Sequence, residues 1–555
     1  MTHTQMAYNY QLLLKHLLHQ GLTWAPDQQI IYRDHVRFTY CSFYQRVLQL
    51  GGALESLGCG LGAKIGVIDW DSHRYLEMYF GIPGIGAILH TINPGIAPKD
   101  LLYTLVHAED EILIFHEDFI PLVESLIPFL PTVHKYILIR DNPVAQTLGW
   151  VNLEYEELLA NAIPLKELPD LDENTIATIS YTSGTTGKPK GVFFTQRQLT
   201  LQTLSDAVAL SALGNYGGVS KHDVYMPLTP MYHGHAWGMP YVATMLGLKQ
   251  VYPGKYEIPR IIQLIIDEKV TFSHCVPTIL QKIVGTPLVR DLDLSQWKVI
   301  VGGSALSKSL AIEASRLGIK VYGGYGLSET CPVLTISNLK PGMEAWNDEK
   351  KLDWMIKPGF TIPLVYLKVI DSNGKEVAKN GRDAGEILVR SPWCTQAYFK
   401  DVDLSEKLWD GDWLHTGDIG TIDEYGYIQI VDRFKDIIKT GGEWIVSLEL
   451  EKMLSSFTGI LDVAVIGIPD QKWGERPLVL MESRSGCMDD LTAENLKTHL
   501  QKYVLDGKLA AWAVPDFYAC INEIPKTNVG KHDKKALRTL INQDGWLSEH
   551  IKLTN

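Results

Sequence analysis

Short apolar runs alternate with longer amphipathic stretches over most of the chain, a pattern that predicts parallel sheets covered by helices. Runs at 65–69, 112–115 and 136–139 are separated by helical or loop spacing, and the alternation returns at 271–275, 299–301 and 320–322. Residues 30–32 and 37–39 alternate around Asp34-His35 and predict a short hairpin. Phe43, Val47, Leu50, Leu54 and Leu57 fall on one helical face that stops at Gly58. Between 364 and 400 the pattern becomes strand-rich: 365–370, then Asp371-Ser372-Asn373-Gly374 as a turn, then 386–390. The expected class is α/β, with a large N-terminal lobe, a small β subdomain and a smaller α+β C-terminal lobe. At 555 residues the chain is too long for one core.

Two stretches, 79–98 and 227–248, lack Asp, Glu, Lys and Arg. Gly81, Pro83, Gly84, Gly86 and Pro94 interrupt the first, and Pro230, Gly234, Gly238 and Pro240 the second. They read as buried interior of a large domain and not as membrane spans. The net charge of −13 argues against nucleic acid as a partner. Residues 433–555 carry 16 Lys and Arg against 17 Asp and Glu, so the acidity sits almost wholly on the preceding body. Lys526, Lys531, Lys534, Lys535 and Arg538 make a local basic stretch, read either as a surface for anionic substrates or, for the last three, as a solvated helix face. Cysteines 41, 59, 275, 331, 394, 487 and 520 show neither close pairing nor zinc spacing. With no export signal at the N-terminus, a reduced cytoplasm is the expected location.

The chemistry concentrates in Thr182-Ser183-Gly184-Thr185-Thr186-Gly187-Lys188-Pro189-Lys190-Gly191, between a strand at 176–181 and its return at 192–194. Small hydroxyl side chains and glycines let backbone N–H groups close around phosphate oxygens, and Lys188 and Lys190 add charge. The P-loop pattern is absent, because two residues rather than four separate Gly184 from Gly187 and Pro189 follows Lys188. Pro189 also disfavours helical backbone at Lys188.

Four further segments follow in order: Tyr325-Gly326-Leu327-Ser328-Glu329-Thr330, Trp413-Leu414-His415-Thr416-Gly417-Asp418, Asp432-Arg433-Phe434-Lys435-Asp436 and Pro525-Lys526-Thr527-Asn528-Val529-Gly530-Lys531. Together with the loop, they resemble the motifs of the adenylate-forming superfamily of acyl-CoA synthetases, peptide-synthetase adenylation domains and luciferases. Met231-Tyr232-His233-Gly234-His235-Ala236-Trp237-Gly238 and Gly441-Gly442-Glu443-Trp444-Ile445 are most similar to bacterial medium- and long-chain fatty acyl-CoA synthetases.

The resemblance implies ATP, Mg²⁺ and coenzyme A as cosubstrates and cofactor, and a small-molecule carboxylic acid as substrate. It implies that the loop, with Thr185, holds the β- and γ-phosphates, that Ser328 contacts phosphate and that Glu329 holds the metal. Tyr325 would stack on adenine against Gly324 and Gly326, Asp418 would accept the ribose hydroxyls, and Arg433 would add a second ribose or phosphate contact. Lys531 would reach the α-phosphate and the attacking carboxylate. Residues 1–432 would bind ATP and acid, and 433–555 would be the mobile lobe, turning about Lys435. Gly441, Gly442, Glu443 and Trp444 would line the pantetheine route, His233 would lie near the carboxylate, and His235 is left open. Gly234 stands where amino-acid-activating relatives carry an Asp, so an α-amino acid is not expected. Trp237, Gly302, Gly303 and Ser304 are similar to an acyl pocket wall. Thr195-Gln196 and His415 depart from the pattern. The acceptor is CoA, with a carrier protein as the alternative, and the resemblance implies a possible homodimer.

Overall fold

In the computed structural model, residues 7–141, 148–182, 188–212, 218–371, 373–433, 436–440, 443–484, 491–526, 532–542 and 546 are described. The chain forms two compact units, residues 1–367 with 389–414 and residues 368–388 with 415–555. This division falls earlier than the expected boundary at 432/433, since most of the strand-rich stretch clusters with the C-terminal residues.

The first unit is built on two sheets. One has seven strands among the described residues, in the order Leu153–Glu154, Lys135–Ile139, Ile112–His116, Lys64–Ile68, Ile88–Thr91, Ile176–Thr182 and Lys190–Thr195. All its pairings are parallel except the last, where Thr182 lies opposite Lys190. The other has nine, with Val224–Leu228, Phe272–Cys275, Lys298–Val301 and Lys320–Gly326 as a parallel centre. At one edge of that sheet, Gln29–Tyr32 and Val36–Thr39 form the expected hairpin. The expected helix follows as Tyr40–Ser56, started by a capping box in which Thr39 and Ser42 bond each other's backbone N–H.

The helix His73–Gly84 has every residue buried. It packs against strands of both sheets and against Tyr40–Ser56, so no face is left for solvent. That burial explains the uncharged stretch that begins at 79, and among the described residues no helix is long and apolar enough to cross a membrane. Its charged residues are paired: Glu77 with Arg46 at 2.6 Å, and Arg74 with Glu156 at 2.9 Å and Asp141 at 3.0 Å. Burial opposes the charge on Glu156, yet bonds from His73 and Arg46 hold its carboxyl well below the usual range.

In the second unit, Ile460–Asp470 pairs antiparallel with Gly474–Ser483, which pairs parallel with Phe517–Cys520. Helices Ser447–Ser455 and Ala493–Leu505 cover one core, around Val465, Val479 and Leu496. Helix Lys534–Ile541 covers another, around Ile466, Leu478 and Leu537.

Candidate active site

In the first unit the hairpin expected around the polar loop is present, closed by the Thr182–Lys190 pair, while Ser183, Gly184, Thr185, Thr186 and Gly187 lie outside the described residues. Lys188 Nζ stands 4.8 Å from the Tyr103 ring centroid, and Lys190 Nζ 4.7 Å from that of Tyr398. As Pro189 requires, the chain leaves the loop as the strand Lys190–Thr195 and not as a helix.

Glu329 sits on a 3₁₀ turn, Ser328–Thr330, just beyond the strand Lys320–Gly326. The turn is pinned by Thr330, whose hydroxyl accepts Leu327 N–H at 3.0 Å and donates to Pro332 O at 2.6 Å. A Cβ on Gly326 would meet Pro332 O at 1.7 Å, so this close approach requires glycine. Tyr398 Oη donates to Glu329 Oε1 at 2.8 Å, and Thr395 N–H donates to Glu329 O at the same distance. Tyr325 lies opposite Thr335, and the register shifts between Tyr325 and Gly326.

The segment after His233 is strained. Gly234, His235, Ala236, Trp237 and Gly238 have φ of 52°, 53°, 47°, 58° and 74°, consecutive left-handed backbone that costs a non-glycine residue roughly 1–2 kcal/mol. The surroundings hold it in place: Gln202 Nε2 donates to Trp237 O at 3.4 Å, and His233 N–H donates to Pro230 O at 2.9 Å. The Trp237 indole closes over Gly302, whose Cβ position is 3.1 Å from Trp237 Cη2, and packs tilted against His274 at 5.1 Å between ring centroids. Of the residues expected to wall an acyl pocket, Trp237 and Gly302 come together, whereas Gly303 and Ser304 are exposed. Burial lowers His274 to about 3, so the imidazole beside Trp237 is neutral. His235 is fully buried near Tyr79 and Phe194 and lowered to about 4 by burial, a neutral packing group.

In the second unit, the strand Trp413–Ile422 places Asp418 opposite Arg433 on Ile428–Arg433, so the two expected ribose contacts are register partners. Asp418 is buried, and its N–H donates to Thr416 Oγ1 at 3.1 Å. His415, which departs from the common pattern, pairs with Glu386 at 3.0 Å. Glu443 and Trp444 form strand pairs with Thr440 and Lys439. Lys435, Gly441, Gly442 and Lys531 lie outside the described residues.

The solvated reading of Lys534 is corrected. It is buried, pairs with Glu451 at 2.7 Å and donates to Ser447 Oγ, whose hydroxyl in turn donates to Asp432. Lys526 pairs with Asp462 at 2.8 Å and Arg538 with Asp436 at 2.8 Å, so much of the basic stretch is internally neutralised. Sequence reasoning missed Tyr398, Thr395 and Gln202. Nothing in their local pattern marks them, because each acts through a residue distant in the chain.

The AMP-binding enzyme family matches residues 19–399, and the C-terminal domain of AMP-binding enzymes matches residues 449–531. The chain belongs to the AMP-binding enzyme family. A long-chain-fatty-acid–CoA ligase of Thermus thermophilus is 38% identical over 535 residues, covering 95% of each chain. A 3-methylmercaptopropionyl-CoA ligase of Ruegeria pomeroyi is 37% identical over 498 residues, covering 88% of this chain and 89% of its own. The crystal structure of an anthranilate CoA ligase in complex with anthranoyl-AMP shares the fold of this AMP-binding enzyme, with a TM-score of 0.81 at 23% identity over 97% of this chain and 98% of that one.

Among the described residues no group of three or more His, Cys, Asp and Glu forms a metal cage. Glu329 presents its carboxylate to Tyr398, whose ring lies against Lys190 of the hairpin. Its carboxylate suits Mg²⁺, which binds through one or two carboxylates together with substrate phosphates and water.

Proposed function

We infer that the protein is an AMP-forming acid–thiol ligase that activates a fatty acid or similar apolar carboxylic acid with ATP and transfers the acyl group to CoA. The observation that carries the choice of acid is the uncharged wall of Trp237, Gly302 and neutral His274. The similarity to CoA ligases along nearly the whole chain supports the thiol acceptor.

In the first half-reaction the acid carboxylate attacks the α-phosphorus of ATP and pyrophosphate leaves. Like charges must meet, so the residues that neutralise and align them carry the rate. Lys188, Lys190 and the hydroxyls of Thr182 to Thr186 would hold the β- and γ-phosphates, with Ser328 beside them. Glu329 would hold Mg²⁺, which would screen the phosphate charge that the attacking carboxylate must approach. Tyr325, Gly324 and Gly326 would seat adenine, and Asp418 and Arg433 the ribose. His233 would lie at the acid carboxylate, and Lys531 would bridge carboxylate and α-phosphate. In the second half-reaction residues 433–555 would turn about Lys435, withdraw Lys531 and bring Gly441, Gly442, Glu443 and Trp444 to the pantetheine arm.

A cytoplasmic homodimer is the associated expectation for the assembled protein. Pyrophosphate release over carboxylic acids from short to long, with benzoate and amino acids as controls, tests the substrate class. Turnover of an α-amino acid in preference to the fatty acids would refute it.

A further inference from the structure

We propose that Tyr398 is a positioning residue that aims Glu329 at the metal–nucleotide and ties it to the phosphate hairpin through Lys190. The inference rests on the reading of Glu329 as the metal carboxylate and extends it to a residue that no motif includes. Tyr398 is 7% exposed, and its hydroxyl donates to Glu329 Oε1 at 2.8 Å. With Oε1 engaged, Oε2 has no protein partner among the described residues and is the oxygen left for a cation.

The ring serves the other side of the site. Lys190 Nζ lies 4.7 Å from its centroid, within cation–π range. The backbone around Tyr398 is a strap with few degrees of freedom. Phe399 N–H donates to Gly191 O at 2.8 Å, and Val192 bridges Tyr398. Thr395 Oγ1 donates to Phe193 O at 3.0 Å, while Thr395 N–H donates to Glu329 O at 2.8 Å. One short segment therefore bonds both to the strand that leaves the phosphate loop and to the turn that carries Glu329. Displacing either would drag the other.

The test measures binding and not turnover. Affinity of the full-length protein for α,β-methylene ATP is titrated calorimetrically with Mg²⁺ and with EDTA, without acid, and the ratio gives the gain due to metal. Tyr398→Phe keeps the ring over Lys190 and removes only the hydroxyl. It should cut the metal-dependent gain about tenfold, the scale of a hydrogen bond to a charged group, and leave the EDTA affinity unchanged. Tyr398→Leu, which removes the ring as well, should also weaken binding in EDTA. Should the phenylalanine variant fold poorly, 4-aminophenylalanine at 398 restores a donor and should restore the gain, whereas 4-methylphenylalanine should not. Glu329→Gln separates the two readings. If it loses the gain while Tyr398→Phe keeps it, or if Tyr398→Phe weakens both conditions equally, the positioning role is overturned and Glu329 stands. If Glu329→Gln keeps the full gain, or wild type shows no metal linkage, the metal reading fails and the proposal falls with it.

Discussion

The carboxylate of Asp71 accepts the backbone N–H of Met231 at 2.8 Å and the phenol of Tyr256 at 2.6 Å. This buried contact anchors the start of the segment that carries His233 and Trp237. Burial pushes Asp71 up to about 7, against roughly 4 for an aspartate in an unfolded chain. Between those values the folded protein keeps a proton that the unfolded chain has lost. Stability therefore falls as pH rises through this window, and the whole penalty is present above 7. Asp71→Asn carries no charge to bury and retains an acceptor for Met231. Its stability relative to wild type should improve by roughly 2–3 kcal/mol between pH 5 and pH 8. Unfolding measured at both pH values checks this, and a difference independent of pH would sink it.

Gly238→Ala should damage acid binding in particular. At φ 74° an alanine is strained, and its Cβ would stand 2.4 Å from Gln202 Oε1. Gln202 is fully buried and also bonds Asp206, so it has little room to retreat. The turn would shift and lift Trp237 from Gly302. The KM for the acid should rise at least about tenfold while that for ATP stays within about twofold, since a misplacement of this size typically costs one to two orders of magnitude. Equal changes in both would show that the turn does not serve the acid.

The alternation of apolar runs was enough to place the parallel sheets, and the spacing from Phe43 to Leu57 located its helix. Both patterns are local. The clustering of residues 368–388 with 415–555 was not legible, because it depends on which strands pair across tens of residues. The Asp432–Ser447–Lys534–Glu451 cluster is another long-range contact, and a lysine on a short helix gives no local sign of being buried. The left-handed run from Gly234 to Gly238 was equally hidden: His235, Ala236 and Trp237 have no preference for that backbone, and tertiary packing imposes it. Glu329 and Asp418 were singled out because their motifs resemble a family. Tyr398 acts through Glu329, 69 residues away, and was not.

The two half-reactions should separate by mutation. Lys531→Ala removes one positioned charge and should lose acyl-adenylate formation by several orders of magnitude, since such a loss costs about 3–4 kcal/mol or more. Supplied with preformed acyl-adenylate, it should still make acyl-CoA. Lys435→Pro should do the reverse, because proline fixes the backbone that must turn. Folded variants that lost both steps equally would refute the two-conformation account.

The central claim is tested most directly by the products of a single incubation with ATP, Mg²⁺, a fatty acid and CoA. The account predicts AMP, pyrophosphate and acyl-CoA in equal amounts, with no thioester when CoA is omitted. ADP as the nucleotide product, or free acyl-adenylate that never passes to the CoA thiol, would contradict it.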